Sequence, residues 1–405
     1  MNSVGIDVSK GKSMVCIVRP LGEVVRPPFE VHHTEKELQN LAEYLKGLDG
    51  DTRIIMEHTG NYYVPVAQSL HKAGLYVSAV NPKLVKDFGN NSLRKIKTDK
   101  ADAKKIARYG LDNWAELRQY TEVDSIRSQM KNINRQYNLY SKQKTATKNN
   151  LISLLDQTYP ELNGLFDSPT RKDGHQKWVD FAETFWHADC VRKMSLAAFK
   201  ERYRKWCKKH GYQFQDSKAN MVYEKAKGLI VTLPKDLSTK LLIQQAVIQL
   251  NAVSKTVEVL RTELQRLAQQ LPEYPVVMAM YGTGNSLGPQ LMAEIGDVSR
   301  FTHRGALIAY AGVDPGAVQS GKYEAKSVRS SKHGAPELRK TLFLIMSILI
   351  RKQPYDDPVF CFLDKKRTEG KPYYVYMTAA ANKFLRIYYG KVKRYLENAN
   401  SKGSY

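Results

Sequence analysis

The sequence predicts an N-terminal α/β domain followed by a mainly α-helical remainder, and three observations carry that reading. Short runs of β-formers alternate with helical periodicity over residues 1–120, a heptad of apolar residues runs through the middle, and the last third holds long helical stretches. Val4-Gly5-Ile6-Asp7-Val8 forms a first short strand, and Ser13 to Val18 a second. A third runs through Val24 to Val31, where Pro27 and Pro28, which cannot donate to a ladder, move it to a sheet edge. Thr34 with Glu37 makes a capping box ahead of Leu38, Leu41, Ala42 and Leu45. Arg53 to Met56 is a buried strand ending at Glu57. A helix over Tyr62 to Ala73 stops at Gly74, and Tyr76 to Val80 is a strand closed by Asn81-Pro82. From Thr98 a helix continues through Ile106 and Ala107. Hairpin-like strands followed by alternating helices and strands build a mixed sheet flanked by helices.

In the middle, Ile243, Ala246, Leu250, Val253, Val257, Leu260, Leu264 and Leu267 follow a 3-4 alternation among polar residues. That is a coiled-coil pattern, serving either a long helical hairpin or association of chains into a dimer or tetramer. A polar helix over Ser125 to Leu155 is the candidate antiparallel partner within the chain. Between the two lies a basic, aromatic stretch around Arg192, Lys200, Arg202, Arg204, Trp206 and Lys208. After Pro272 a Gly-rich turn, Tyr281 to Gly288, leads into an apolar helix, Gln290 to Ile295. An Ala-rich helix to Ala311, a loop through Gly321 and a helical tail to about Glu397 complete the chain. The expected domains are therefore 1–120, 121–270 and 271–405.

Lys and Arg number 63 against 40 Asp and Glu, a net charge of +23. Such an excess favours a polyanionic partner, because each neutralised phosphate releases condensed counterions. Cys16, Cys190, Cys207 and Cys361 are scattered without metal-ligand spacing, which argues against a disulfide framework or a structural zinc site and fits a reducing cytoplasm. No signal peptide is expected, and the longest apolar run, Leu342 to Ile350, is too short for a bilayer. The expected setting is the cytoplasm, away from membranes.

Four carboxylates bear on the chemistry. Asp7 lies within an apolar strand, where an ionised group is costly unless something positive compensates it. Glu57 ends another buried strand, and Asp99 and Asp102 lie three apart on a helix, facing one way. Carboxylates gathered from two strands and a helix repel one another, a repulsion that a hard divalent cation such as Mg2+ resolves. Two such ions suit an in-line phosphoryl transfer. Singly, each has a plainer reading: Asp7 as the cap of a turn at Val8 to Gly11, and Asp99 and Asp102 as residues favoured by the helix macrodipole. Lys95, Lys97, Lys100, Lys104, Lys105 and Arg108 crowd the latter pair, as where acidic ligands meet a phosphate backbone.

Gly5-Ile6-Asp7-Val8-Ser9-Lys10, Glu57-His58-Thr59-Gly60-Asn61-Tyr62-Tyr63, Val80-Asn81-Pro82 and Lys97-Thr98-Asp99-Lys100-Ala101-Asp102-Ala103 resemble the successive N-terminal motifs of the insertion-sequence 110 family of transposases. These are DEDD-type enzymes related to the pilin-gene invertases, with a RuvC-like, ribonuclease-H-type catalytic domain. The resemblance implies that Asp7, Glu57, Asp99 and Asp102 are magnesium ligands. Tyr310-Ala311-Gly312-Val313-Asp314-Pro315, Gln319-Ser320-Gly321 and Lys332-His333-Gly334 resemble the family's C-terminal transposase domain, whose motif carries a serine just before glycine. By position that serine is Ser320, with Ser327, Ser330 and Ser331 close by. The resemblance implies a composite mechanism in which Ser320 attacks DNA and the metal ions assist. It also implies donor and target double-stranded DNA as substrates, and a structured guide RNA that reads sequence by base pairing.

On the residues alone, a loop Ser before Gly is a turn device, although Lys322, Lys326, Arg329, Lys332 and Arg339 supply charge for a phosphorane. His58 beside Glu57 either tunes the metal site or simply packs. Gly282-Thr283-Gly284 lacks the Gly-Lys-Ser/Thr ending of a nucleotide loop; it fits a hairpin whose amides meet a phosphate, or a plain turn. Two alternatives stand beside recombination: a metal-dependent junction nuclease, which tolerates Ser320→Ala, and a non-catalytic nucleic-acid scaffold, which tolerates Asp7→Asn and Glu57→Gln.

Overall fold

Strand β1 (Asn2–Val8) is buried on both faces, which marks a central strand. It pairs antiparallel with β2 (Lys12–Val18), which pairs antiparallel with β3 (Val24–His32). After α1 (Glu35–Lys46), β4 (Thr52–Glu57) adds parallel to β1; after α2 (Tyr63–Lys72), β5 (Tyr76–Val80) adds parallel to β4. The order β3-β2-β1-β4-β5 leaves the proline-bearing strand at an edge, as expected. It is the arrangement of a ribonuclease-H-type domain. A short helix, α3 (Pro82–Phe88), follows Asn81, and α4 (Asp99–Asp112) completes the unit. In this computed structural model the described residues are 1–58, 60–88, 98–121, 124–167, 169–314, 319–320, 323–324, 330, 332 and 334–402. They fall into two compact units, Met1–Glu122 and Val123–Tyr405.

The period of two along β1 and β4 divides the first unit into layers. Val4, Ile6, Ile54 and Met56 pack with Leu38, Leu41, Val66 and Leu70 of α1 and α2. The alternate residues turn to α4: Ser3 donates to the Ala107 carbonyl at 2.7 Å, and Ile55 packs with Ile106 and Tyr109. A Cβ on Gly5 would stand 2.2 Å from the Ala103 carbonyl oxygen, and one on Gly110 2.4 Å from Ile55 Cδ1. These two glycines let α4 lie directly on the sheet.

The second unit is helical. Helix α5 (Ser125–Leu155) leads to α6 (Lys177–Thr184), α7 (Asp189–Arg192), α8 (Leu196–His210) and α9 (Asp216–Lys227), and α10 (Leu237–Ala268) returns. Leu151 and Leu155 share a cluster with Ile243 and Leu250, whereas Met130 shares another with Leu264 and Leu267, so α5 and α10 run antiparallel. Ile243, Ala246, Leu250, Val257, Leu264 and Leu267 are buried, while Val253 and Leu260 are half-buried. Helices α6 to α9 form a head at one end of this hairpin. Its aromatic residues turn inward: Phe181, Phe185, Phe199, Tyr203 and Trp206 are buried against one another. The head's buried Asp180 is held by His175 at 2.7 Å and by the Tyr212 hydroxyl.

At the other end lie α11 (Tyr274–Met278), α12 (Gly284–Ile295) and α13 (Arg304–Ala311). The β6 (Gln319–Ser320) and β7 (Tyr323–Glu324) hairpin follows, then α14 (Pro336–Lys352), α15 (Pro358–Thr368) and α16 (Tyr373–Lys402). Leu342, Ile345, Met346 and Leu349 of the apolar run are the core-facing side of α14. Among the described residues no helix is long and apolar enough to cross a membrane.

Candidate active site

The layering of the sheet fixes where the N-terminal carboxylates go. Asp7 follows Ser3 and Gly5 on the α4 face of β1, and Glu57 follows Ile55 on the same face of β4. The register that opposes Ile6 to Met56 brings the next residues, Asp7 and Glu57, to one end of the sheet. Thr98 caps α4 by accepting from the Ala101 amide at 3.2 Å, so Asp99 and Asp102 occupy the helix's first turn.

The electrostatics join these residues. Burial, then the charges of Asp102 and Asp99, push the Asp7 carboxyl up to about 6. Burial also raises Glu57, with Asp7 and Asp102 adding to it and Lys105 opposing. Four carboxylates from two strands and one helix thus share one field, and two of them resist ionisation. The described side chains do not close on one point as a ready-made ligand cage. As a donor set they nevertheless fit a hard divalent cation: all are oxygen ligands, and a positive charge among them relieves the repulsion that raises Asp7 and Glu57. His58 is exposed just beyond β4, its amide donating to the Val80 carbonyl at 3.0 Å. Of the cations read around Asp99 and Asp102, Lys95 and Lys97 lie outside the described residues, as does Thr59 of the second motif. Lys105 donates to the Lys86 carbonyl at 3.4 Å while acting on Glu57. The sequence carried a signal for Gly5 that went unread: a glycine inside a strand marks close approach of another backbone.

Ser320 ends β6, opposite Tyr323 of β7; its side chain lies outside the described residues, as do Gly321, Lys322, Lys326, Ser327, Arg329, Ser331 and His333. The flanks of this hairpin are pinned together. Arg339 Nη1 donates to the carbonyls of Ala311 at 3.1 Å and Gly334 at 3.0 Å, and the Ala335 amide donates to Tyr310 at 2.8 Å. A Cβ at Gly334 would meet the Tyr310 carbonyl oxygen at 2.1 Å. Arg339, expected as a cation for a phosphorane, is therefore engaged in closing the base of the loop.

A family model described as "Transposase" matches residues 4–160, and one described as "Transposase IS116/IS110/IS902 family" matches residues 274–359. The chain belongs to the IS110 family of transposases. The first match spans every N-terminal carboxylate of this transposase, and the second spans Ser320; the head falls between them. None of the curated proteins matches the transposase. Two solved structures from Thermus thermophilus are similar to part of it. A RuvC in complex with a Holliday junction substrate is 15% identical, over 29% of this chain and 96% of that one, at a TM-score of 0.23. A second RuvC structure is 16% identical over the same shares, at 0.22.

Proposed function

We propose that this transposase excises and inserts a mobile element by cutting and rejoining double-stranded DNA, guided by a structured RNA. In this reading Asp7, Glu57, Asp99 and Asp102 hold Mg2+, and Ser320 is the nucleophile. The observation that carries it is the shared field of the four carboxylates, with Asp7 raised to about 6 by burial and by its acidic neighbours.

When bound, the divalent ions would supply Lewis acidity at the phosphoryl oxygens and hold attacking and leaving oxygens in line. The chain's own residues do the rest. Asp7 and Glu57, on rigid strands, fix one side of the site, and Asp99 and Asp102 follow α4. As Oγ of Ser320 bonds to phosphorus its proton passes to water, and the sugar oxygen whose bond to phosphorus breaks takes up a proton and leaves as a hydroxyl. A sugar hydroxyl from another strand then displaces Ser320, which conserves the phosphodiester energy and lets the ends rejoin.

The test is a recombination assay with Mg2+ and the element's flanking RNA, comparing wild type with Asp102→Ala and Ser320→Ala. Both variants should fall at least about 100-fold, and protein should remain covalently attached to DNA in wild type but not in Ser320→Ala. Cutting and joining by Ser320→Ala would remove the serine from the reaction. Activity without the flanking RNA would remove the guide.

A further inference from the structure

At the start of α16, Tyr373, Tyr374 and Val375 are 47%, 73% and 48% exposed. Neighbouring large apolar side chains left in water forgo the gain that burial ordinarily brings, and such patches mark interaction sites. The rings are grouped. Tyr373 meets Tyr374 edge to face at 5.2 Å between centroids, and Tyr374 lies 6.4 Å from Phe343 of α14. Beside Phe343, the exposed Leu344 lines a shallow groove with Ser347, Ile348 and Arg351.

The chain leading into the patch is basic. Over 365–371 it carries Lys365, Lys366, Arg367 and Lys371 against Glu369 alone. Lys366 holds Glu369 at 2.7 Å and Arg367 reaches Asp364 at 3.1 Å, leaving an excess of positive charge next to the tyrosines.

We propose that Tyr373 and Tyr374 stack unpaired nucleobases, while phosphates of the same strand are drawn to the 365–371 segment. Aromatic faces accept any base that is out of a duplex, and the flanking cations neutralise its backbone. A paired duplex keeps its bases stacked on one another and offers the rings nothing. A second copy of this chain meeting the patch face to face would bring the same positive segment with it, so like charge opposes that occupant. The inference rests on the chain handling nucleic acid, as a transposase does, and is independent of the serine and metal assignments.

The test is fluorescence anisotropy with the full chain in EDTA, so that only binding is read. The probes are short oligothymidine, short oligouridine and mixed-sequence duplexes of DNA and of RNA. A Tyr373→Ala/Tyr374→Ala double variant should bind single strands about tenfold more weakly or worse, and duplexes within twofold of wild type. The Tyr373→Phe/Tyr374→Phe variant, which keeps both rings, should bind as wild type does, separating stacking from misfolding. Loss on oligothymidine alone, on oligouridine alone or on both supports the proposal and names the strand. Unchanged single-strand binding, or equal loss on duplexes, overturns it. A change of oligomeric state in the alanine variant without a change in binding would assign the patch to a second copy and overturn it as well.

Discussion

Ionising Asp7 places a charge in a half-buried position beside Asp102 and Asp99, and the folded state resists it. Its folded value of about 6 lies above the ordinary 3.8, so between the two the native state keeps a proton that the unfolded chain has released. Asp7 therefore costs nothing below the lower value; native stability declines as pH rises toward 6 and levels off beyond it. In EDTA, thermal denaturation should place Asp7→Asn above wild type by a few degrees at pH 8, with the gap closing toward pH 4. Added Mg2+ should raise the wild-type midpoint at pH 8 and leave Asp7→Asn nearly unmoved. A constant gap across the pH range would mean that Asp7 titrates normally. Arg127 offers a second residue-scale test. It donates to Glu273, which is 2% exposed, and to Asp124. Arg127→Ala strands a buried carboxylate and should cost roughly 3–5 kcal/mol in urea denaturation.

Among the elements, α4 is the one that joins the site to the sheet, and Gly5 sets its distance. Gly5→Ala places a methyl against backbone atoms of Ala103 and Ala107, which no side-chain rotation relieves. The expected cost is about 1–3 kcal/mol, and with α4 displaced, Mg2+ binding measured by calorimetry should weaken. Unchanged stability and binding would show that α4 shifts without consequence. Much of this unit was legible in local residue types: the edge position of β3 follows from its prolines, and the helix beginning near Thr98 follows from its periodicity. Other features depend on neighbours distant in sequence. The Glu37 carboxylate accepts from the His32 amide at 2.6 Å, serving the chain end before the helix, where a capping box would have it serve Thr34. Asn81-Pro82 closes β5 as read, yet Pro82 also starts α3, since a first-turn proline lacks only an amide the helix does not need. Arg339 read as a charge for substrate because its carbonyl partners, Ala311 and Gly334, become neighbours only after folding.

Over the whole molecule, +23 of net charge predicts an affinity for DNA that falls steeply with salt. If six or more phosphates are neutralised, binding should drop by roughly 10³ or more between 50 and 200 mM salt; a flat response would show that the charge is spread away from the interface. The basic, aromatic middle stretch shows how composition misleads at this scale. Phe199, Tyr203 and Trp206, which in sequence sit among Lys and Arg, are in the core of the head, and Arg202 and Arg204 lie over its Phe185 and Phe214 rings. For the candidate site, Asp7 and Glu57 were read on strands and Asp99 and Asp102 on a helix, and the structure puts Asp7 and Glu57 in the field of their acidic neighbours.

The hairpin of α5 and α10 has a consequence in length. Met130 belongs to the core built on α12, α14 and α16, and Leu151 belongs to the head. At 1.5 Å of rise per residue, these two residues lie about 30 Å apart along α5. The hairpin is thus a spacer of set length, and inserting or removing a heptad in both helices should change that separation by about 10 Å.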